Sequence, residues 1–271
     1  MLTRAGIQSK TSPKERFAAR WKHHRQQWLA PFATRSSERE YLDELDALDD
    51  LELDDQSLDR TFAELAQINF WLGGHRTTIH GLRLALQKLQ PPGDGPVRVV
   101  DAGCGSGDGL RALARWARKQ RLPLELLGVE RNARVLDLAR RLSADYPEIT
   151  YHQLDVFSEA FMALRPRVVV ASLFCHHFDT RTVEDWLTQL MGRTGVAVVI
   201  NDLQRHWAAG YAFEQLCRLL RLSDMTKHDG AVSVRRGFRA PELRALLESV
   251  SPSHHALQWR WAFRYQGVVW S

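Results

Sequence analysis

Val99-Val100-Asp101-Ala102-Gly103-Cys104-Gly105-Ser106-Gly107-Asp108-Gly109 is an apolar run that ends in an acid, then sets glycine at alternate positions before a helix-like stretch. An apolar run of this kind reads as a strand buried on both faces, and glycines this close together let the backbone turn sharply and pass against a ligand. The loop therefore points to a bound nucleoside. Dinucleotide folds use G-x-G-x-x-G, whose third glycine lets a helix N-terminus close on a pyrophosphate. After Gly103 and Gly105 that third position is Asp108, and a carboxylate there repels a pyrophosphate. A ligand carrying positive charge is attracted instead.

The segments that follow repeat the pattern of a buried strand ending in an acid. Residues 124–130 read as a second strand closed by Glu130, about 20 residues downstream, where a carboxylate meets ribose hydroxyls. Asn132 is placed to cap a helix over residues 133–144 whose apolar face is Val135, Leu136, Leu138 and Leu142. Residues 151–156 read as a third strand reaching Asp155, and residues 168–173 as a fourth, fully buried one.

The sequence acid-x-Gly-x-Gly-x-Gly, with these acids behind it, resembles motif I of the class I, Rossmann-like S-adenosylmethionine-dependent methyltransferases, over residues 97–200. The resemblance implies a doubly wound seven-stranded α/β sheet with an antiparallel last strand. It implies S-adenosylmethionine as cofactor and S-adenosylhomocysteine as product. The cofactor residues it implies are Asp101, Gly103, Cys104, Gly105, Gly107, Glu130, Arg131, Asp155, Val156 and Ser172, with Asp155 at the adenine amine. The segment Leu173-Phe174-Cys175-His176-His177-Phe178 is similar to the leucine-x-His-His-aromatic segment of the methyltransferases of ubiquinone and menaquinone biosynthesis, from which Cys175 departs.

With 271 residues and 44% hydrophobic content, the chain is long enough for an extensive core. It has no apolar stretch of the ~20 residues needed to span a bilayer and no signal-peptide pattern, so a cytoplasmic location is expected. Cys104, Cys175 and Cys217 are widely spaced, with no metal-ligand pairing, and no metal is expected. The net charge of +5 conceals an asymmetry. Residues 1–40 form a basic arm in which Phe17, Trp21, His24 and Trp28 fall at helical spacing among arginines and lysines, while residues 41–59 are dominated by Asp and Glu. A basic amphipathic arm is compatible with packing on its own domain, with peripheral contact with an anionic membrane, or with docking of RNA or protein. The expected division is a basic arm over 1–40, a helical lid over 41–92, and a cofactor-binding domain over 93–271 with a cap inserted at 203–239.

Within the lid, apolar positions from Leu58 to Leu89 predict two helices meeting near Gly73-Gly74, ahead of the breaker Pro91-Pro92-Gly93-Asp94-Gly95-Pro96. Such helices commonly roof the pocket in the family, which makes Trp71, His75 and Arg76 candidates to line it, Arg76 against the methionine carboxylate. After the fourth strand a helix is expected over 182–191 and a fifth strand over 195–200, ending in the polar cluster Asn201, Asp202, Arg205 and His206. An amphipathic helix over 211–222 then leads into a glycine-containing loop, 228–238, a further helix near Pro241, and a closing antiparallel hairpin over 254–270.

Methyl transfer from a sulfonium is an in-line displacement in which positioning supplies most of the rate. A phenol or hydroxyquinone acceptor must also lose a proton, and histidine is the suitable base. The candidates are His176, His177, His206 and His228. His206 and His177 rank first, with Asp202 orienting His206 and Asp229 beside His228. The substrate expected is a small aromatic or lipophilic acceptor, methylated on oxygen or carbon. No Asn-Pro-Pro-Tyr segment of the amino-methylating nucleic-acid enzymes is present, so no nucleic acid is expected. The alternatives are an RNA or protein substrate docked by the basic arm, a nicotinamide oxidoreductase, and a non-catalytic binding protein.

Overall fold

The structure is a computed structural model, and it describes residues 55–90 and 95–271. The basic arm and most of the acidic stretch lie outside the described residues. Helices α1 (Asp55–Trp71) and α2 (Gly74–Lys88) precede strand β1 (Val97–Ala102), and they meet at Gly73, whose φ of 73° makes the turn. The chain then alternates through α3 (Asp108–Gln120), β2 (Leu124–Glu130), α4 (Ala133–Leu142), β3 (Ile149–Gln153), α5 (Glu159–Ala163), β4 (Val168–Ser172), a 3-10 turn at Cys175–His177, α6 (Thr180–Met191) and β5 (Ala197–Leu203). Helices α7 (Trp207–Leu220), α8 (Asp224–Arg236) and α9 (Ala240–Val250) lead to the hairpin β6 (His255–Arg260) and β7 (Arg264–Trp270).

The seven strands lie in the order β3-β2-β1-β4-β5-β7-β6. The first five run parallel, and β7 enters antiparallel between β5 and β6. This is the α/β Rossmann-like fold expected from the sequence. The near-continuous apolar strands are explained by burial on both faces. On one face Val99, Leu126, Val168 and Val199 pack with Leu82 of α2, Leu110 and Leu113 of α3 and Leu136 of α4. On the other, Val100, Leu127, Val169 and Val198 pack with Phe161, Trp186, Leu187, Leu243 and Leu247 from α5, α6 and α9.

Several local expectations hold. Asn132 caps α4, its side chain accepting from the backbone N–H groups of Arg134 and Val135. Others shift. Strand β3 stops at Gln153, so Asp155 stands in the following turn, where its Oδ1 accepts from the Phe157 N–H at 2.9 Å. Strand β5 runs on to Leu203, so the polar pair Asn201 and Asp202 belongs to the strand and is buried. The expected loop over 228–238 is instead mostly α8. Ser223 caps that helix by accepting from Thr226 N–H, and Gly230 is there for close packing, since a Cβ would come 2.1 Å from the Phe213 ring.

Candidate active site

The parallel strands all deliver their C-terminal ends to one edge, where such sheets bind ligands. A cavity of about 710 Å³ opens there, within the range of sites that enclose small molecules. Its floor is the turn after β1. Gly103, Gly105 and Gly107 have φ of 67°, 50° and 75°, a region that side-chain-bearing residues rarely adopt. The reasons for the three glycines differ. A Cβ on Gly103 would strike the Phe174 ring at 2.4 Å, and one on Gly107 would strike the Tyr151 hydroxyl at 2.1 Å. At Gly105 the nearest atom is 3.3 Å away on Phe62 of the roof, so a side chain there would enter the gap between loop and roof. Gly103 and Gly105 line the cavity, whereas Gly107 serves the packing of the turn.

Acids surround this turn. Burial, reinforced by the charges of Asp108 and Glu130, holds the Asp101 carboxyl well above the usual carboxylate range. Burial would raise Asp108 too, but hydrogen bonds from His75 Nε2 at 2.6 Å and Asn69 Nδ2 at 3.2 Å, with the charges of His75 and Arg111, bring it below its ordinary value. Glu130 accepts from the backbone N–H of Asn132 at 3.0 Å and of Gly105 at 3.3 Å, which fixes it at the end of β2. Gathered acids are costly when ionised together, and a cationic ligand offsets that cost. A sulfonium with an α-ammonium fits this cluster. Cys104 lines the cavity as a small buried group. Burial and then the charges of Asp101 and Glu130 push its thiol well above the ordinary range, so it stays protonated.

Of the other expected cofactor residues, Glu130, Arg131, Asp155, Val156 and Ser172 line the cavity. Arg76 does not. It stands on the exposed face of α2, while its neighbour His75 turns inward to Asp108. Trp71 is 63% exposed and does not line the cavity either. A buried cation that lines the cavity is Arg264 at the start of β7, 2% exposed. No sequence reading singled it out, although an arginine opening an apolar strand was a visible signal.

The histidines divide sharply. Leu173, with φ 55°, turns the chain off β4 into the 3-10 turn that carries His176 and His177. His176 Nδ1 lies 2.7 Å from Asp202 Oδ1, its backbone N–H donates to Asp202 Oδ2 at 3.0 Å, and both side chains are buried. A carboxylate only accepts, so the ring donates through Nδ1 and presents Nε2 as a lone pair. That Nε2 is buried without a hydrogen-bond partner among the described residues, and His176 lines the cavity. His177 also lines the cavity, its ring 4.1 Å from that of His176. Burial, then the charges of His176 and Arg236, holds His177 well below the ordinary histidine range, so it is neutral near pH 7.

The expected pairing of His206 with Asp202 is not formed. His206 caps α7, its Nδ1 accepting from Ala208 N–H at 3.1 Å, and its ring stacks on Phe263; Phe263 lines the cavity, whereas His206 does not. Asp202 reaches His176 instead because β5 extends to Leu203 and turns that carboxylate toward the loop after β4. His228 lies on the exposed side of α8, whereas Asp229, Gly230 and Ser233 face the cavity.

The roof is α1, α7 and α8. Phe62, Leu65 and Leu72 come from α1, Phe213 and Leu216 from α7, and Met225 from the start of α8. Glu64 ties the first helix to the last, accepting from Ser223 Oγ and Thr226 Oγ1, each at 2.7 Å, and from Ser223 N–H at 3.0 Å.

Residues 99–193, from within β1 to the turn after α6, match the family model of a methyltransferase domain. A carbon methyltransferase domain, CurJ, superposes with a TM-score of 0.56 at 15% identity, over 96% of this chain and 71% of that one. Plantazolicin methyltransferase BpumL, solved with S-adenosylhomocysteine, gives 0.48 at 16% identity over 90% and 81%. The CMeT domain of citrinin polyketide synthase gives 0.49 at 14% identity over 70% of this chain, which spans only 50% of that one. No curated protein matches. The chain thus has a Rossmann-like methyltransferase fold, and its residues 99–193, which hold the glycine turn with its acids, match a methyltransferase domain. It is an S-adenosylmethionine-dependent enzyme.

Proposed function

We propose that this enzyme methylates a small aromatic or lipophilic acceptor of the phenol or hydroxyquinone type, on oxygen or on an activated ring carbon, with His176 as general base. The observation that carries the reading is the buried His176–Asp202 pair, in which Nε2 has no hydrogen-bond partner among the described residues and His176 lines the cavity. S-adenosylmethionine supplies the electrophilic methyl group. Asp101, Gly103, Cys104, Gly105, Glu130, Arg131, Asp155, Val156 and Ser172 are the residues we assign to holding it.

Around the acceptor, the chain does three things. Asp202 fixes the His176 tautomer and stabilises the imidazolium formed when Nε2 takes the acceptor's proton. The apolar roof of Phe62, Phe213, Leu216 and Met225 excludes water and favours a lipophilic ring. His177, held neutral beside it, adds no competing positive charge. We assign α1 and α2 to a helical lid and residues 203–239 to a cap over the acceptor.

The test is transfer of labelled methyl from S-adenosylmethionine to a panel of phenols and hydroxyquinones. Incorporation that falls by roughly 10²-fold or more in His176→Asn, in line with general-base contributions, supports the reading. No incorporation into any panel member, with label entering an RNA or protein fraction, would sink it.

A further inference from the structure

Arg264 is a buried guanidinium that meets only neutral partners within hydrogen-bond reach. Its Nη2 donates to Asn69 Oδ1 at 3.1 Å and its Nη1 to Asn201 Oδ1 at 3.4 Å, while Nε is buried without a partner among the described residues. Among the described residues it forms no ion pair within 4.0 Å. The charge is felt: burial pulls it down to about 10, with only partial compensation from Asp202 and Asp108. A buried cation left on two amide oxygens is costly unless an anion completes it, and this one lines the cavity.

The anion's position follows from the charges already on the page. The α-ammonium and α-carboxylate of an amino acid share one carbon, so the carboxylate of the bound cofactor must stand beside the acids that take its ammonium. Those acids are Asp101, near the end of β1, and Asp108, the first residue of α3, which flank the glycine turn. Arg264 reaches that end of the cavity through one residue, since Asn69 accepts from Arg264 and donates to Asp108. Arg131, the other arginine lining the cavity, follows Glu130 at the ribose end. Arg76 is on the outer face of α2.

We propose that Arg264, delivered by the antiparallel strand β7, is the residue that binds the methionine carboxylate of the cofactor. This rests on the assignment of S-adenosylmethionine to the cavity. It gives the last strand of the sheet a role in ligand recognition as well as in closing the core.

Calorimetry with two ligands tests it: S-adenosylhomocysteine, and its decarboxylated analogue 5′-deoxy-5′-(3-aminopropylthio)adenosine, which keeps the ammonium. Wild type should bind the first at least tenfold more tightly than the second. Arg264→Gln should weaken S-adenosylhomocysteine at least tenfold while changing the analogue less than twofold, and Arg264→Lys, which keeps the charge for folding, should fall between wild type and Arg264→Gln. Equal affinity of wild type for the two ligands overturns the proposal, as does equal weakening of both in either variant. Unchanged binding of S-adenosylhomocysteine in Arg264→Gln also overturns it, and would leave the guanidinium to an anionic acceptor. Failure of wild type to bind either ligand refutes the cofactor assignment itself, a distinct outcome.

Discussion

Asp202 Oδ1 lies 2.7 Å from His176 Nδ1, and Asp202 also accepts from the backbone N–H groups of His176 and Leu203. One buried carboxylate thus fixes both the ring and the turn that carries it. Replacing Asp202 with Ala leaves those donors unpaired in the interior, at a cost of about 1–3 kcal/mol for each unsatisfied group, so Asp202→Ala should melt well below wild type. His176→Asn spares the carboxylate and should fold, with turnover of a phenolic acceptor down roughly 10²- to 10⁴-fold and S-adenosylhomocysteine binding within twofold by calorimetry. Turnover at the wild-type rate in His176→Asn would remove the base from this turn.

His206 gives the contrasting case. Its ring nitrogen caps α7 and its face stacks on Phe263. His206→Ala should therefore lower stability by about 1 kcal/mol, as loss of a helix cap does, and leave methyl transfer unchanged. Thermal melting and initial rates measured on the same preparation separate the two effects.

Glu64 provides a pH-dependent latch between α1 and α8. Burial would raise its carboxyl, but the hydrogen bonds from Thr226, Ser223 and Arg60 bring it from 4.5 to about 2. A depressed folded-state value means the stabilisation is fully present above about 4.5 and is lost as pH falls toward about 2. Glu64→Gln should cost about 1–3 kcal/mol near pH 7, and the gap to wild type should narrow through that acid window. Denaturant unfolding at a series of pH values measures it. A gap that stays constant down to the lower limit would show that the charge of Glu64 is not what latches the roof.

Asp101 should behave in the opposite sense. Its carboxyl is buried beside Asp108 and Glu130 and held well above the usual range. Asp101→Asn relieves that repulsion, so the ligand-free variant should melt at or above the wild-type temperature while binding S-adenosylmethionine at least tenfold less tightly. Stability and affinity moving apart in this way is the expected mark of a charge kept for a ligand. A parallel fall in both would make Asp101 a structural acid.

The glycine turn and the acid that ends β2 were readable in the sequence because they are local units: one strand, one turn, one acid. Glu130 and Asn132 lie within three residues of each other, and their hydrogen bonds follow from that nearness. The acceptor half is built from pairs far apart in the chain, which no periodicity reveals. Asp202 was picked out as a polar residue needing explanation, yet its partner is 26 positions upstream at His176 rather than 4 downstream at His206. Arg264 meets Asn69 across 195 positions. Gly230 reads as a loop residue until Phe213 of the neighbouring helix is placed against it.

The reversal of β7 carries a consequence for how the protein comes into being. Leu203 stands opposite Arg264, so the strand that is last among the described elements begins at the edge where the parallel strands finish. A growing chain has its glycine turn, acids and histidines long before it has that arginine. With Arg264 assigned to the methionine carboxylate, full grip on the cofactor is acquired only once β7 has been made and inserted beside β5.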